Sequence, residues 1–203
     1  MKTIKLLTLL AIFIGFSSCS DNDDDDPTLQ VETETVSNLY APQLGGQGSG
    51  LPESGDFTKF DFSTGQITTS ATDWDIAFRG TKIAVNGGVS TGLTDEPARN
   101  GNAAAYIASD TFAGIESVNT SLLEQDSVNG FVLSNWYTYS GPPTHSINPT
   151  AGKILVIKTR DGKYAKVEIL SYYQDGQPNA DYTNYQYYTF NYTYQPNEGV
   201  TTF

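Results

Sequence analysis

The chain has 203 residues, with 23 acidic and 11 basic side chains and a formal net charge of −12 at pH 7. A field of this sign repels nucleic acid and anionic lipid surfaces, so binding to DNA, RNA or a membrane through a basic patch is excluded. The composition includes one histidine, one cysteine and one methionine, which excludes a metal site built from several histidines or thiolates of one chain.

The first 19 residues are typical of a lipoprotein signal peptide. A short basic start at residues 1–5 precedes the apolar run 6–16, which is too short to span a bilayer. The small residues Ser17 and Ser18 stand directly before Cys19, as in the bacterial lipobox. We predict that the signal is removed and that Cys19 carries a lipid. An ordinary signal peptide followed by a chance cysteine is the alternative.

Residues 20–28 are predicted to form an acidic, disordered tether between the lipid and the folded domain. The run 21–26 holds five aspartates, whose mutual repulsion opposes folding. An acidic run directly after a lipidated cysteine also resembles the signal that sorts some lipoproteins to the outer face of the outer membrane. We therefore expect a cell-surface protein with one folded domain at residues 29–203.

The remainder is predicted to be an antiparallel all-β domain with a sandwich-like architecture. Short runs rich in β-branched and aromatic residues alternate with clusters of Gly, Pro, Asn and Asp, which is the pattern of such a fold. The runs are 29–36, 57–62, 73–79, 82–85, 131–139, 154–159, 164–173 and 185–194. Asp161-Gly162 predicts a hairpin between two of them. Rings alternate along the last run and are predicted to pack in the core, and only residues 119–126 indicate a short helix.

No motif predicts catalysis. His145 is the sole histidine that could serve a Ser-His-Asp triad, and no nucleophile elbow is present. Carboxylate pairs such as Asp73 and Asp75 are expected by chance among 23 acidic residues. The glycine groups at 45–50 and 87–88 lack the spacing of phosphate-binding loops. We predict that the protein is not an enzyme.

His145 is the residue most open to a ligand role. Prolines on both sides of it mark an exposed, stiffened loop. A histidine in a surface loop usually has no specific role. Trp136, Tyr137 and Tyr139 precede it, however, and these rings could form one wall of a flat apolar pocket. An imidazole at the mouth of such a pocket would suit a planar, iron-bearing ligand.

Five features in a fixed order resemble the HmuY-type haem-binding lipoproteins. They are residues 74–78 (Trp-Asp-Ile-Ala-Phe), the Asn-Gly-Gly turn at 86–88, the loop 136–145, the hairpin 154–173 and the closing run 188–194. The similarity extends from about Val31 to the last strand. It implies a sandwich-like domain on a lipid anchor that takes up haem and passes it to an outer-membrane receptor of the TonB-dependent type.

The sequence departs from the family at the iron ligands. The best-known members hold haem iron with two histidines, and some relatives use methionines. Ser140-Gly141-Pro142 matches the family feature that carries one ligand, but the histidine is missing there and His145 comes a few residues later. The upstream region that should supply the other ligand, 116–135, contains neither histidine nor methionine. Two-histidine ligation within one chain is therefore excluded.

Several arrangements remain open at this point. Haem iron could be held by His145 alone or by His145 with a tyrosinate, Tyr137 or Tyr139. The porphyrin could also be held by rings without an axial protein ligand, or a dimer could place haem between two copies of His145. The fold could instead serve a different ligand. The rival function is a surface adhesin or glycan-binding module that uses the Tyr, Asn and Thr residues of 177–187.

Overall fold

A computed structural model describes residues 28–46 and 48–203. The predicted signal peptide, Cys19 and all but the last residue of the predicted tether lie outside the described residues. Within this part of the chain the regular structure is β, apart from two single turns of 3-10 helix at Thr120–Leu122 and Gln174–Gly176. The all-β prediction is confirmed. No helix among the described residues is long and apolar enough to cross a membrane.

The described part of the chain contains eleven strands. They are β1 (Glu32–Tyr40), β2 (Thr58–Asp61), β3 (Gln66–Thr68), β4 (Ile76–Arg79), β5 (Lys82–Val85), β6 (Ala104–Ser109), β7 (Tyr137–Tyr139), β8 (Ile147–Pro149), β9 (Lys153–Lys158), β10 (Tyr164–Tyr173) and β11 (Tyr185–Gln195). They form a five-stranded sheet in the order β1-β11-β10-β9-β6, a four-stranded sheet in the order β3-β2-β4-β5, and the separate β7-β8 hairpin. Neighbouring strands pair antiparallel.

Aromatic rings join the two larger sheets. Phe60 of β2 lies 5.5 Å from the ring centre of Phe190 and 5.7 Å from that of Tyr192, both on β11. Phe78 of β4 lies 4.7 Å from the ring centre of Tyr188. The alternating rings of the last predicted run therefore face the core, as predicted, because successive side chains of a strand point to opposite faces of its sheet.

A buried carboxylate also links the sheets. Asp75 stands just before β4 and accepts hydrogen bonds from the backbone N–H of Phe62 at 2.9 Å and of Arg160 at 3.0 Å. The Arg160 guanidinium, which follows β9 of the other sheet, lies 3.2 Å from the same carboxylate. Burial raises the pKa of Asp75, and the hydrogen bonds and the charge of Arg160 oppose that shift. The ion pair fixes the β9-β10 connection against the smaller sheet.

The Asn and Gly residues of the turn after β5 are explained by their contacts. The Asn86 side chain donates to the carbonyl oxygens of Thr72 and Trp74 at 3.0 and 2.7 Å and accepts from the backbone N–H of Asn100 at 2.8 Å. A Cβ on Gly87 would lie 1.9 Å from the carbonyl oxygen of Ala103. Only glycine fits this close backbone approach.

Three predicted elements differ from the structure. The run 131–139 is a strand only at Tyr137–Tyr139, because Asn135 has a left-handed φ of 64° that interrupts an extended chain. Residues 119–126 contain one turn of 3-10 helix and no longer helix. The 154–173 hairpin is present, with Gly162 at φ 93°, but its connection spans residues 159–163 instead of two residues.

Candidate functional site

His145 lies on the wall of a cleft of about 760 Å³, here called the His145 cleft. The cleft opens where the β4-β5 turn, the β7-β8 connection and the β10-β11 connection meet. Its lining residues are Gln43, Gly45, Gly80, Thr81, Pro143, Thr144, His145, Ile147, Tyr172, Tyr173, Ala180, Asp181, Tyr182, Thr183, Tyr185 and Gln186. The volume lies within the usual range of small-molecule sites, about 300 to 1,000 Å³.

Hydrogen bonds within the β7-β8 connection hold the His145 backbone in place. The His145 N–H donates to the carbonyl oxygen of Gly141 at 2.8 Å. The Ser140 hydroxyl oxygen accepts from the Ser146 N–H at 2.9 Å and lies 2.7 Å from the Thr144 hydroxyl. The loop is thus ordered by its own polar groups before any ligand binds, which lowers the entropy cost of binding.

One tyrosine ties this hairpin to the main sheet. The backbone N–H of Ile147, two residues after His145, donates to the phenol oxygen of Tyr173 at 2.9 Å. Tyr173 is the last residue of β10 and is buried. The position of His145 relative to the cleft floor therefore depends on a strand of the five-stranded sheet.

Tyr139 contacts the imidazole directly. Its hydroxyl hydrogen-bonds Nδ1 of His145, and the two ring centres are 5.8 Å apart. Both side chains are exposed, Tyr139 with 55% of its surface accessible. Because Nδ1 is engaged, Nε2 is the nitrogen of His145 that remains for a ligand in the cleft.

Trp136 does not form part of the pocket wall that the sequence predicted. The indole is 1% exposed and packs in the core against Tyr188 and Tyr172, with ring centres 5.3 and 6.0 Å away. Burying so large an apolar ring in the core stabilises the fold more than leaving it exposed in a cleft would. Its Nε1–H donates to the carbonyl oxygen of Thr81 at 3.0 Å, so Trp136 supports a lining residue from behind and does not line the cleft itself.

Tyr137 also lies outside the His145 cleft. It lines a smaller neighbouring cavity of about 370 Å³, together with Phe131 and Leu133. Its hydroxyl is 3.4 Å from the Thr81 hydroxyl. Of the three rings that were expected beside His145, the structure brings only Tyr139 into contact with it.

The aromatic wall consists of four other tyrosines, Tyr172, Tyr173, Tyr182 and Tyr185. They come from the end of β10, the start of β11 and the segment between them. Burial raises the pKa of Tyr172 and of Tyr173, which keeps both phenols protonated at neutral pH. Sequence reasoning missed this wall. The wall could have been predicted from the runs 164–173 and 185–194. They are successive predicted strands, so the end of the first and the start of the second lie side by side.

Backbone strain concentrates at the His145 cleft. His145, Tyr182 and Gln186 have left-handed φ values of 51°, 58° and 72°, and all three line it. The other non-glycine residues with positive φ in the described part of the chain are Asn or Asp, which tolerate this conformation better than bulky residues. Strained backbone of this kind clusters at ligand sites.

Among the described residues that line the His145 cleft, one side chain is acidic and none is a lysine or arginine. Asp181 is exposed and accepts a hydrogen bond from the Thr183 hydroxyl at 2.8 Å, which lowers the pKa of its carboxyl group. No group of three or more His, Cys, Asp or Glu residues that could hold a metal ion occurs in the part of the chain that the structure describes. The cleft therefore offers rings and one imidazole instead of a multidentate metal cage.

Comparisons with known proteins agree with this fold. A family model described as "HmuY protein" matches residues 53–192. A crystal structure of an apo HmuY analog from Tannerella forsythia superposes with a TM-score of 0.55 at 14% identity, covering 85% of this chain and 100% of that one. A Bacteroides vulgatus structure described as an HmuY-like heme-binding protein gives a TM-score of 0.50 at 15% identity, covering 82% and 93%. No curated protein sequence matches.

Proposed function

Because this chain belongs to the HmuY family, we propose that it binds haem, or a closely related tetrapyrrole, in the His145 cleft and does so without catalysis. One observation carries the proposal: the sole histidine of the chain lies on the wall of a ligand-sized cleft lined by four tyrosine rings. A relative of the same fold is described as heme-binding, which supports the proposal.

The lining of the cleft offers one nitrogen that could hold haem iron. An imidazole nitrogen is a common protein ligand of haem, and Nε2 of His145 is not engaged by Tyr139. Tyr172 and Tyr173 are poor donors because burial keeps their phenols protonated. We therefore assign iron coordination to His145 and contact with the porphyrin plane to the tyrosine wall. A second histidine on the iron would require a second copy of the chain.

The charge of the lining defines the orientation of the ligand. Haem carries two carboxylates, and the described lining of the cleft offers no lysine or arginine to pair with them. An unpaired carboxylate is costly to bury. Haem should therefore enter with its apolar edge first and leave its carboxylates at the mouth, in water.

The amino-terminal segment supports a place at the cell surface. The basic start, the apolar run and Cys19 favour a lipid anchor in the outer membrane, and the acidic run that follows favours its outer face. From there the protein would pass haem to a TonB-dependent receptor and so serve iron acquisition. Labelling of cells with a radioactive fatty acid tests the anchor, and Cys19→Ser should abolish the label.

Titration of haemin into the purified chain from Ser20 onward tests the binding function. We expect a shifted and sharpened Soret band that saturates at one haemin per chain. Ala180→Trp, which places a large ring in the cleft, should weaken binding at least 10-fold, because the ring occupies the volume that the porphyrin needs. Ala71→Trp introduces the same side chain at an exposed site outside the cleft and should bind as the unmodified chain does.

Two outcomes would contradict the proposal. An unchanged haemin spectrum at micromolar protein would show that the fold serves another ligand, and the surface-interaction function would then be favoured. Equal binding by Ala180→Trp and by the unmodified chain would place haem outside the His145 cleft.

A further inference from the structure

The hydrogen bond between Tyr139 and His145 controls which imidazole nitrogen can meet iron. We propose that Tyr139 is a positioning residue that selects the haem-binding tautomer of His145. This inference rests on the proposed function, because it concerns the same imidazole. It adds a role for a side chain that does not itself line the His145 cleft.

A neutral imidazole carries one proton and one lone pair on its two nitrogens. Iron binds the nitrogen that has the lone pair, so coordination by Nε2 requires the proton on Nδ1. The phenol of Tyr139 is the group in contact with Nδ1. It can donate its own proton to Nδ1 or accept a hydrogen bond from Nδ1–H.

Only the second arrangement prepares His145 to hold iron. With the proton on Nδ1, the lone pair is on Nε2, and the phenol oxygen of Tyr139 accepts from Nδ1–H. The Tyr139 O–H then donates to water, which it can reach because Tyr139 is 55% exposed. Tyr139 favours this arrangement in the free protein, so Nε2 would need no proton transfer before it could hold iron.

Strand pairing fixes the two side chains relative to each other. Tyr139 is the last residue of β7 and pairs with Ile147 of β8. The next pair is closed by the Ser140 N–H, which donates to the carbonyl oxygen of Ser146 at 3.0 Å. His145 therefore sits one residue beyond a fixed strand pair, and Tyr139 contacts its imidazole without lining the cleft.

A hydrogen-bond acceptor on the second nitrogen of a ligating histidine makes the first nitrogen a stronger donor to metal. Loss of such a partner typically lowers metal affinity about 10-fold to 100-fold. We expect Tyr139→Phe to lower haemin affinity within this range, and His145→Ala to lower it at least as much. The double variant should bind like His145→Ala alone, because Tyr139 acts through His145.

Metal-free protoporphyrin IX separates this role from a structural one. It has the same ring and carboxylates as haem but no iron, so Tyr139→Phe should bind it as tightly as the unmodified chain does. Tyr40→Phe is the matched control: Tyr40 is 46% exposed, stacks on Tyr187 and lies outside the cleft. It should leave the affinity for both porphyrins unchanged.

Three results would overturn the role of Tyr139: haemin affinity unchanged in Tyr139→Phe, equal losses for haemin and for the metal-free ring, or losses that multiply in the double variant. Absence of haemin binding by the unmodified chain would instead contradict the proposed function.

The tautomer can also be measured without haem. His145 is the only histidine, so nitrogen NMR of the untagged chain gives one imidazole to assign. We expect the free protein to show the proton on Nδ1, and Tyr139→Phe to move both ring nitrogen shifts toward those of an exposed, mixed-tautomer imidazole. Identical nitrogen shifts in the two proteins would contradict the pairing, whatever the haem result.

Discussion

At the scale of single residues, a buried carboxylate holds the segment before β6. Glu96 accepts hydrogen bonds from the backbone N–H groups of Thr91 and Leu93, and from Arg99 at 2.7 Å. Arg99 in turn lies 3.0 Å from Asp126. Burial alone would raise the pKa of Glu96, but these hydrogen bonds and one from the Thr91 hydroxyl outweigh it and lower the pKa from 4.5 to about 2.

A carboxylate with a lowered pKa stabilises the fold at pH values above its unfolded pKa. This contribution is complete above about pH 5 and is lost as the pH falls from about 4.5 to about 2. Glu96→Gln should therefore lower the free energy of unfolding by roughly 2 kcal/mol at pH 7, and the difference should shrink toward pH 2. Urea unfolding at a series of pH values measures this. A difference that does not change with pH would contradict the ion-pair explanation.

Side chains in and around the His145 cleft differ in how far sequence could identify them. His145 could be identified by counting, since the chain offers no other nitrogen or sulfur ligand of the usual haem-binding kinds after Cys19. Tyr139 could be identified because it lies close to His145 in the chain. The roles of Trp136 and Tyr182 could not, because a ring can pack in a core or line a cleft, and only tertiary packing decides between the two.

At the scale of elements, sequence patterns were most informative where a strand is long and its faces differ. The β9-β10 hairpin could be predicted because β9 is a continuous apolar run and Asp161-Gly162 marks the turn after it. The strand β11 could be predicted because its rings alternate with Thr and Asn. The strand β6 was missed. Its sequence, Ala-Ala-Tyr-Ile-Ala-Ser, has weak strand preference, and it is a strand because it pairs with β9 along six residues.

The cleft itself is a product of how elements meet. Its walls come from the β4-β5 turn, the β7-β8 connection and the segment before β11, which lie far apart in sequence. Buried rings set their relation: the Tyr188 hydroxyl donates to the carbonyl oxygen of Gly80 at 2.8 Å, and Trp136 donates to that of Thr81 at 3.0 Å. Such long-range contacts have no local signal, which is why the site could not be assembled from sequence.

At the scale of the whole molecule, charge should influence how the ligand arrives. The chain carries a net charge of −12, and the one charged side chain in the described lining of the cleft is Asp181. Haem brings two carboxylates of the same sign. In the proposed function, haem is therefore held through its ring and its iron, against an unfavourable long-range field.

Screening should consequently speed association. Raising the ionic strength from 10 to 200 mM shortens the Debye length from about 30 Å to below about 8 Å, so repulsion between haem and the protein weakens. We expect the association rate in stopped-flow mixing to rise about twofold to fivefold, and the rise to be smaller in Asp181→Asn. A rate that falls with salt would indicate attraction by a basic surface and would contradict this account of the cleft.

In the proposed function, His145 binds the iron of haem in this cleft. The most direct test compares the absorption spectra of ferric haem bound to the unmodified chain and to His145→Ala. We predict that the variant loses the shifted Soret band and binds haemin at least 10-fold more weakly, while its affinity for metal-free protoporphyrin IX is unchanged. An identical haemin spectrum in both proteins would show that His145 does not touch the iron.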